Sequence, residues 1–149
     1  MDNRRKIANT GMLSFEDVDA LDDDTYIKVN RSFIYSAIAM HNILKQKEAR
    51  EALQAEITAE AMDLYRAVVD EVRFDAYAEY RLRSCQATVI ETRHFIALKS
   101  YYTIVAFIDK RTNTMYDVLR VVYGYTATSS QHISKFRVDH PCIEYHVAR

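Results

Sequence analysis

The stretch ATVIETRHFIALKSYYTIVAFIDKRTNTMYDVLRVVY, residues 87–123, decides the fold, because its residue types differ from those of the chain before it. Residues 87–98 are rich in β-branched and aromatic types, which are typical of β-strands. Residues 101–108, YYTIVAFI, are almost continuously apolar, and such a run indicates a strand that is covered on both faces. We therefore expect a β-sheet in the second half of the chain.

A polar turn interrupts the apolar pattern after residue 108. Residues 109–114, DKRTNT, join the strand to residues 115–123, MYDVLRVVY, and the two segments are predicted to form a β-hairpin. Asn113 lies in the turn, and asparagine tolerates the left-handed backbone conformation that such turns use. The hairpin would make the sheet antiparallel at this point.

The chain after the hairpin is predicted to form a short helix and a last strand. Residues 126–130, TATSS, supply several candidate N-caps for a helix over residues 131–138. Ile133 and Phe136 are the residues of this helix that we expect to face inward. Residues 142–147 alternate as a strand at a sheet edge would. The sheet is thus predicted to be antiparallel, with three or four strands.

The first half of the chain is predicted to be helical over residues 25–84. The clearest period runs through residues 48–83, where apolar residues lie three to four positions apart. This stripe consists of Leu53, Ile57, Ala61, Leu64, Val68 and Val72. Two arrangements stay open: a single long helix, or a hairpin of two helices with a break near residues 46–50 or near Thr58. Either one, packed on the sheet, gives an α+β fold.

The length of the single-helix alternative bears on the oligomeric state. A helix over that whole range would be roughly 85 Å long at 1.5 Å per residue, which exceeds the diameter of a small domain. Its apolar stripe would then have to be buried against a second copy of the chain. A homodimer through the long amphipathic helix is therefore the expectation attached to this alternative.

An arm and an acidic segment are predicted at the start of the chain, over residues 1–24. Residues 1–13 show no periodicity, which is typical of a loose terminus. Residues 16–24 carry six carboxylates and no basic residue. The ordinary interpretation of such a run is a solvated charged turn before a helix. In the functional interpretation the run attracts a basic partner. The candidate partner-binding residues of this segment are Asp22, Asp23 and Asp24.

The composition is that of a folded domain. A chain of 149 residues that is 49% hydrophobic and 28% charged can bury a core, so we take residues 1–149 as a single domain. The net charge of −1 gives no overall basic field of the kind that indicates a nucleic-acid-binding protein. Two distant cysteines, and the lack of an apolar run of signal-peptide or membrane-spanning length, predict a cytoplasmic protein with free thiols and no membrane partner.

Standard catalytic and cofactor motifs are missing from the sequence. With only two glycines, Gly11 and Gly124, the chain has no glycine-rich loop to cradle a phosphate or a dinucleotide. The five histidines are scattered, and neither cysteine has the spacing of a metal site. His41 and His94 are interpreted as hydrogen-bonded histidines rather than general bases, because no nucleophile or carboxylate has matching context. We therefore predict a protein that is not an enzyme, with no cofactor and no metal.

The segment Tyr123–Lys135, YGYTATSSQHISK, concentrates polar and aromatic groups at the start of the predicted short helix. A helix N-terminus has free N–H donors and a partial positive charge, so it can hold an anion. Tyrosines can stack on a base or pack against a partner's apolar side chain. The ordinary alternative is that the hydroxyls only cap the helix and the tyrosines close the core. The candidate binding residues of this Tyr123–Lys135 surface are Arg120, Tyr123, Tyr125, Thr126, Thr128, Ser129, Gln131, His132 and Lys135.

The segment Ser100–Phe136 also carries a resemblance. The pattern SYYTIVAFID, followed by MYDVLRVVYGYTATSSQHISKF, resembles a group of small, poorly characterised domains encoded by bacterial phages and other mobile elements. Those domains show a Ser-Tyr-x-Thr strand start, a hairpin, and a Ser/Thr cluster followed by His and Lys-Phe. The matching positions are Ser100, Tyr101, Thr103, Tyr123, Thr126, Thr128, Ser129, His132, Lys135 and Phe136.

This resemblance covers about a quarter of the chain and leaves the helical half without a counterpart. It implies no enzymatic activity. It implies an accessory protein of a phage or mobile element, such as an inhibitor of a host defence system of the anti-CRISPR kind.

These observations lead to one functional hypothesis and two alternatives. The leading hypothesis is a non-enzymatic protein of the host bacterial cytoplasm that binds and blocks a host protein or nucleoprotein complex. The acidic segment and the helix-hairpin face would meet a basic partner, and the Tyr123–Lys135 surface would be a second polar surface. The first alternative is a nucleic-acid-binding module that uses the Tyr123–Lys135 surface, with Arg4–Lys6 as an extra arm. The second is a hydrolase or nuclease built on His94 or His132, for which the sequence offers no paired carboxylates and no positioned nucleophile.

Overall fold

A computed structural model of the chain describes residues 7–9, 26–28, 31–83 and 85–149. The chain divides into two compact units, Met1–Ala49 and Arg50–Arg149. The acidic candidates Asp22, Asp23 and Asp24, and the basic stretch Arg4–Lys6, lie outside the described residues.

The first unit contains a parallel pair of short strands and the beginning of a helix. Strands β1 (Ile7–Asn9) and β2 (Tyr26–Lys28) pair in parallel, with Ile7 opposite Tyr26. Residues 26–28 were expected to begin a helix and residues 7–9 to belong to a loose arm, and both predictions are wrong at these positions. Pairing between distant segments overrides the local propensity that a short sequence window reports.

Helix α1 (Arg31–Phe74) is one continuous helix of 44 residues, which makes it about 66 Å long at 1.5 Å per residue. The single-helix alternative is confirmed and the two-helix alternative is wrong. No glycine or proline lies within α1, so no residue forces a break. The helix ends at Phe74 rather than near residue 83, because residues 78–81 pair with a strand instead. Within the described part of the chain, no helix has the length and apolar composition needed to cross a bilayer.

A six-stranded sheet with the strand order β3-β4-β5-β6-β7-β8 forms the centre of the second unit. The strands are β3 (Ala78–Arg81), β4 (Ala87–Glu91), β5 (Phe95–Ser100), β6 (Thr103–Asp109), β7 (Thr114–Asp117) and β8 (Glu144–Val147). Neighbours from β3 to β7 are antiparallel, whereas β8 pairs in parallel with β7. The α+β class is confirmed and β8 lies at an edge as expected, but the predicted sheet had too few strands and lacked the parallel pairing.

Two apolar clusters lie in the second unit, and the first joins α1 to the sheet. Ala61 and Val68 of α1 are fully buried in one cluster with Phe95, Phe107 and Tyr116 of the strands. Burying a Val or Phe side chain contributes roughly 1.5–3 kcal/mol relative to leaving it exposed. Ala61, Leu64, Val68 and Val72 of the predicted stripe therefore pack on the sheet, whereas Leu53 is 57% exposed.

The second apolar cluster contains a helix from the end of the chain. Helix α3 (Ala127–Asp139) buries Ile133 and Phe136 in a cluster with Leu98 of β5 and Val105 of β6. The two inward-facing residues expected in this helix are confirmed. Because neighbouring residues of β6 belong to different clusters, this strand is covered on both faces, as its continuous apolar run predicted.

A one-turn helix replaces the end of the predicted hairpin. Strand β7 stops at Asp117, and α2 (Leu119–Val122) follows it, so the strand prediction for residues 115–123 is wrong beyond residue 117. The Asp117 side chain gives the physical reason, because its Oδ1 accepts a hydrogen bond from the Leu119 N–H at 3.0 Å. Such a bond satisfies a donor at the start of a helix.

The start of α3 is set by a single capping hydroxyl. Thr126 has an extended backbone, and its Oγ1 accepts a hydrogen bond from the Ser129 N–H at 3.2 Å. This N-cap moves the start of the helix to Ala127, ahead of the predicted start at residue 131. Thr126 is one of the candidate caps that the TATSS stretch offered.

Candidate binding site

A pocket of about 260 Å³ lies between the β5–β6 turn and the start of α3. Three segments form it: the end of β5 with its turn, the beginning of β6, and the chain from Tyr123 into α3. The lining residues are Ser100, Tyr101, Tyr102, Thr103, Val105, Tyr123, Thr126, Thr128 and Ser129. Because Tyr101, Tyr102 and Tyr123 border it, we call it the tyrosine pocket.

The β5–β6 turn places two tyrosines side by side at the pocket. Tyr101 has a φ of 55°, in the left-handed region that glycine and asparagine adopt far more readily than a bulky residue. The Tyr101 N–H donates to the Gln86 carbonyl at 3.2 Å, which ties the turn to the chain just before β4. The next residue, Tyr102, is 93% exposed. The turn therefore holds two large aromatic side chains at the surface at a cost in backbone energy.

A buried hydrogen-bond network forms one wall of the tyrosine pocket. The Ser100 hydroxyl lies 2.8 Å from His132 Nδ1 and 3.0 Å from the Ser129 hydroxyl. All three side chains are buried. Burial, and next the nearby Lys135 ammonium, lower the pKa of His132 below its usual value, so the neutral ring is favoured. A neutral ring with its proton on Nε2 can accept a hydrogen bond from the Ser100 hydroxyl at Nδ1.

The Ser100–His132 pair has the spacing of a nucleophile and its base. Ser100 is only 3% exposed and His132 only 4%. The pair contacts the Ser129 hydroxyl and the Tyr101 ring, whose centroid lies 6.0 Å from that of His132, and no carboxylate orients the imidazole among the described residues. The network is therefore arranged to satisfy buried polar groups and to fix the wall of the pocket.

Four of the residues predicted for the Tyr123–Lys135 surface meet at the tyrosine pocket. Tyr123 is 64% exposed, and Thr126, Thr128 and Ser129 line the pocket beside it. Gly124 has a φ of 89°, which lets the chain turn between Tyr123 and the α3 cap without strain. Ser129 is buried in the hydrogen-bond network, as is the predicted His132.

The other predicted residues of that surface do not line the tyrosine pocket. Arg120 places its guanidinium 5.4 Å from the centre of the Tyr125 ring, and both residues are exposed. Gln131 is exposed on α3. Lys135 donates to Cys85 Sγ at 3.4 Å and is half-buried. The predicted single surface is thus divided into a pocket, an Arg–Tyr pair and an internal lysine contact.

A second depression of about 280 Å³ also adjoins the β5–β6 turn. We call it the Arg81 depression, and its lining residues are Arg81, Cys85, Gln86, Ala87, Thr88, Tyr101 and Tyr102. It shares both tyrosines of the turn with the tyrosine pocket. Arg81 is anchored by its Nε, which donates to the Cys85 carbonyl at 2.7 Å. Neither of these two sites has a carboxylate among its described lining residues.

Sequence reasoning missed Arg81, Tyr101 and Tyr102 as candidate binding residues. Tyr101 was named only as part of the phage-domain resemblance, and two tyrosines in succession are not a turn signal. Ser100 was likewise named only there. The motif match was the one signal in the sequence that could have drawn attention to this turn.

His94, a weak catalytic candidate, has a carboxylate partner that the sequence did not indicate. Its Nδ1 lies 2.6 Å from Glu71 of α1. Burial alone would raise the pKa of Glu71, but hydrogen bonds from Thr92 and His94 outweigh burial and lower it. The pair joins α1 to the β4–β5 connection, which favours the structural interpretation of His94. His41, in contrast, is exposed on α1 rather than satisfied in a core.

Neither a metal-binding group nor similarity to a known protein assigns a function to this site. No group of three or more His, Cys, Asp or Glu residues that could hold a metal ion occurs in the described part of the chain. No family model, no curated protein and no solved structure matches this chain. The resemblance to phage domains therefore stays a prediction.

Proposed function

We propose that this protein is a non-enzymatic binding protein that engages a macromolecular partner through the tyrosine pocket and its exposed tyrosines. The observation that carries the proposal is the placement of Tyr101, Tyr102 and Tyr123 around one pocket, each more than half exposed. Tyrosine is enriched where proteins contact partners, because it buries a large ring for little loss of side-chain entropy.

The size of the tyrosine pocket supports a macromolecular partner over a free small molecule. A volume of about 260 Å³ lies just below the range of roughly 300–1,000 Å³ that encloses a drug-sized ligand. One ring-bearing group fits such a volume. The exposed tyrosines outside the pocket then contact the rest of the partner's surface.

The state of Ser100 and His132 supports a binding role over a catalytic one. Their hydrogen bonds are made to each other and to Ser129, inside the protein. A catalytic serine needs an exposed hydroxyl and a base that a third group orients. Replacing His94, which pairs with Glu71 and lines neither site, with asparagine should leave partner binding by the folded protein in place.

We propose further that the protein is an accessory protein of a phage or mobile element that blocks a host defence complex in the host cytoplasm. This step rests on the resemblance of residues 100–136 alone. The acidic run at Asp22, Asp23 and Asp24 would attract a basic host protein. Charge reversal of these three residues should then weaken binding and flatten its salt dependence.

We also propose a homodimer through the first half of α1. Ile34, Ile38 and Leu44 are exposed there, although each is a large apolar side chain. Burial of such residues against a second copy would remove apolar surface from water. Light scattering should give twice the chain's mass for the parent protein, and one chain's mass for Ile38→Glu.

The proposed binding function is tested by affinity capture from host lysate with tyrosine variants. Tyr102→Ala and Tyr123→Ala should each reduce the partner recovered, whereas Tyr77→Ala is the matched control. Tyr77 is 65% exposed, close to the 64% of Tyr123, and it lies next to β3 at the Glu91 end of the sheet. Equal recovery by all three variants would remove the proposal.

A nucleic-acid-binding module is the second candidate, and one observation favours it. The described lining of the tyrosine pocket and the Arg81 depression contains an arginine and no carboxylate. A polyanion therefore meets no repulsive charge there. Capture with and without nuclease treatment separates this candidate from a protein partner.

A further inference from the structure

We infer that the tyrosine pocket and the Arg81 depression together form a site for single-stranded nucleic acid, with one unpaired base in the pocket and the backbone crossing the β5–β6 turn. The inference rests on the proposed binding function and names the class of ligand. Its first support is continuity, because Tyr101 and Tyr102 line both sites. An extended chain can therefore occupy both while it passes over these two rings.

The aromatic side chains give the second support. Single-stranded nucleic acid is held mainly by stacking of successive bases on aromatic rings. Tyr102 is almost completely exposed, and Tyr123 borders the other side of the pocket. The left-handed conformation of Tyr101 shows that the fold keeps an aromatic residue at a position that would suit glycine or asparagine better. Energetically unfavourable backbone of this kind is concentrated at ligand-binding sites.

The charges give the third support. Arg81 lines the Arg81 depression, and Arg120 lies next to Tyr125, which follows the pocket-lining Tyr123 by two positions in the sequence. Arginine suits this role because its planar guanidinium can bond a phosphate and can also stack on a ring. No described lining residue of either site carries a negative charge. An acidic peptide could pair with the arginines, but it would bring no flat rings to stack on Tyr101, Tyr102 and Tyr123. Nucleic acid supplies both the negative charge and the rings.

The size of the pocket favours single strands over duplexes. A volume of about 260 Å³ accepts one ring system, and a base must leave its stack before it can enter. Unstacking a paired base costs a few kcal/mol, whereas an unpaired base loses far less. Single-stranded oligonucleotides should therefore bind more tightly than the same sequence in a duplex.

Fluorescence anisotropy with the full-length protein and labelled oligonucleotides tests the inference. The probes are an oligothymidylate, an oligouridylate and a duplex of mixed sequence. Each single strand should bind at least tenfold more tightly than the duplex. The thymidylate and uridylate arms then show whether DNA or RNA is preferred. Equal affinity for duplex and single strands would overturn the inference.

Tyrosine variants locate the bound strand. Tyr102→Ala and Tyr123→Ala should each lower the affinity roughly 5- to 150-fold, since stacking one base contributes ~1–3 kcal/mol. Tyr123→Phe keeps the ring and should bind nearly as well as the parent. Tyr77→Ala, at an equally exposed tyrosine away from both sites, should not change the affinity. Losses of the same size in Tyr77→Ala and Tyr102→Ala would contradict the inferred site.

The salt dependence tests the role of Arg81. Each phosphate contact with a single strand contributes about −0.7 to the slope of log K against log salt concentration. Arg81→Gln should therefore flatten that slope by about 0.7 and weaken all sequences alike. An unchanged slope would remove Arg81 from the site.

The outcome for nucleic acid can be separated from the outcome for binding in general. If no oligonucleotide binds at low salt while Tyr102 and Tyr123 are still needed for capture from nuclease-treated lysate, the inference is wrong and the proposed binding function stands. If the variants affect neither measurement, both are wrong.

Discussion

Strand β6 has a turn at each end, and the two turns contain the same unusual backbone conformation. Asn113 has a φ of 54° in the β6–β7 turn, and Tyr101 has a φ of 55° in the β5–β6 turn. Asparagine adopts this conformation readily, because its short polar side chain can bond locally. Tyrosine does so at a cost of roughly 1–3 kcal/mol. The β6–β7 turn thus follows the usual rule for its residue type, and the β5–β6 turn departs from it.

The difference between the two turns indicates where a functional site lies in this molecule. Local rules are broken mainly at sites whose side chains are needed for something other than folding. The β6–β7 turn borders neither the tyrosine pocket nor the Arg81 depression, whereas Tyr101 lines both. Exchanging the features of the two turns is therefore a direct test of the proposed site.

The largest effect is expected when Tyr101 of the β5–β6 turn is replaced by asparagine, which adopts the left-handed conformation more readily. Tyr101→Asn should lower the affinity for the partner roughly 5- to 150-fold, because one stacking ring is lost. It should also leave the free energy of unfolding unchanged or raise it by up to ~1 kcal/mol, because backbone strain is relieved. Anisotropy and urea denaturation measure the two quantities. If Tyr101→Asn is destabilised and keeps full affinity, the functional distinction between the two turns is wrong.

The next effect concerns the network that adjoins the strained turn. Ser100→Ala should lower the free energy of unfolding by ~1–3 kcal/mol, because His132 Nδ1 loses its buried partner. Ser134→Ala is the control, since Ser134 is exposed and its hydroxyl donates to the Ser130 carbonyl of the same helix. Its effect should stay within about 0.5 kcal/mol. Equal stability of the two variants in urea would mean that the network does not support the turn.

A smaller effect is expected from the reciprocal exchange at the other turn. Asn113→Tyr should destabilise the protein by about 1–2 kcal/mol, the usual cost of a left-handed conformation for a residue with a bulky side chain. Partner affinity should not change, because Asn113 lines neither binding site. Asn113→Gly should be nearly neutral in thermal unfolding. Loss of affinity in Asn113→Tyr would show that strain alone, rather than the position of the ring, governs binding.

The smallest effect is a difference in acid sensitivity between the two turns. The folded-state pKa of His132 lies below its unfolded value of about 6.5, so the unfolded chain takes up the proton first. The stabilisation is complete above that pH and is lost as the pH falls through the folded-state pKa. The protection factor of the Tyr101 amide, which donates to Gln86, should therefore fall below about pH 6.5 once the slower intrinsic exchange at lower pH is taken into account.

The β6–β7 turn has a carboxylate in place of a histidine, so its acid response begins at lower pH. Burial would raise the pKa of Asp109, but hydrogen bonds from Arg111 outweigh burial and lower it. Its stabilisation is present above the unfolded value of about 3.9 and is lost as the pH falls below it. The Ile143 amide, which donates to Asn113, should stay protected near pH 5.5. Simultaneous loss of protection at both amides would contradict the assignment to His132.

Much of the fold could be predicted from the sequence, because it depends on local periodicity. The apolar run of β6 and the stripe of α1 were recognisable without any partner. Residues 78–81 were not, since AEYR continues the composition of a helix and becomes a strand only by pairing with β4. The parallel pairing of β8 with β7 also could not be predicted from the sequence, because it joins segments that lie far apart along the chain.

The candidate site was predictable only where its residues are close in sequence. Thr126, Thr128 and Ser129 belong to one hydroxyl-rich stretch, and such a stretch predicts the start of a helix. Ser100 and His132 meet across 32 positions of sequence, and no local pattern connects them. Lys135 was assigned to the surface by its charge, but it contacts Cys85 from a distant segment. Local composition reports which groups are available, and long-range packing decides which of them converge.

The parallel pairing of β8 has a consequence for the order in which the protein assembles. A parallel neighbour needs a crossover connection, and the chain from Tyr123 through α3 lies within the crossover between β7 and β8. The strands from β3 to β7 are joined by short antiparallel connections, whereas β8 joins the sheet only through this crossover. A folding chain can therefore pair its antiparallel strands before this crossover is made, and it completes the wall of the tyrosine pocket only when α3 brings Ser129 and His132 to Ser100.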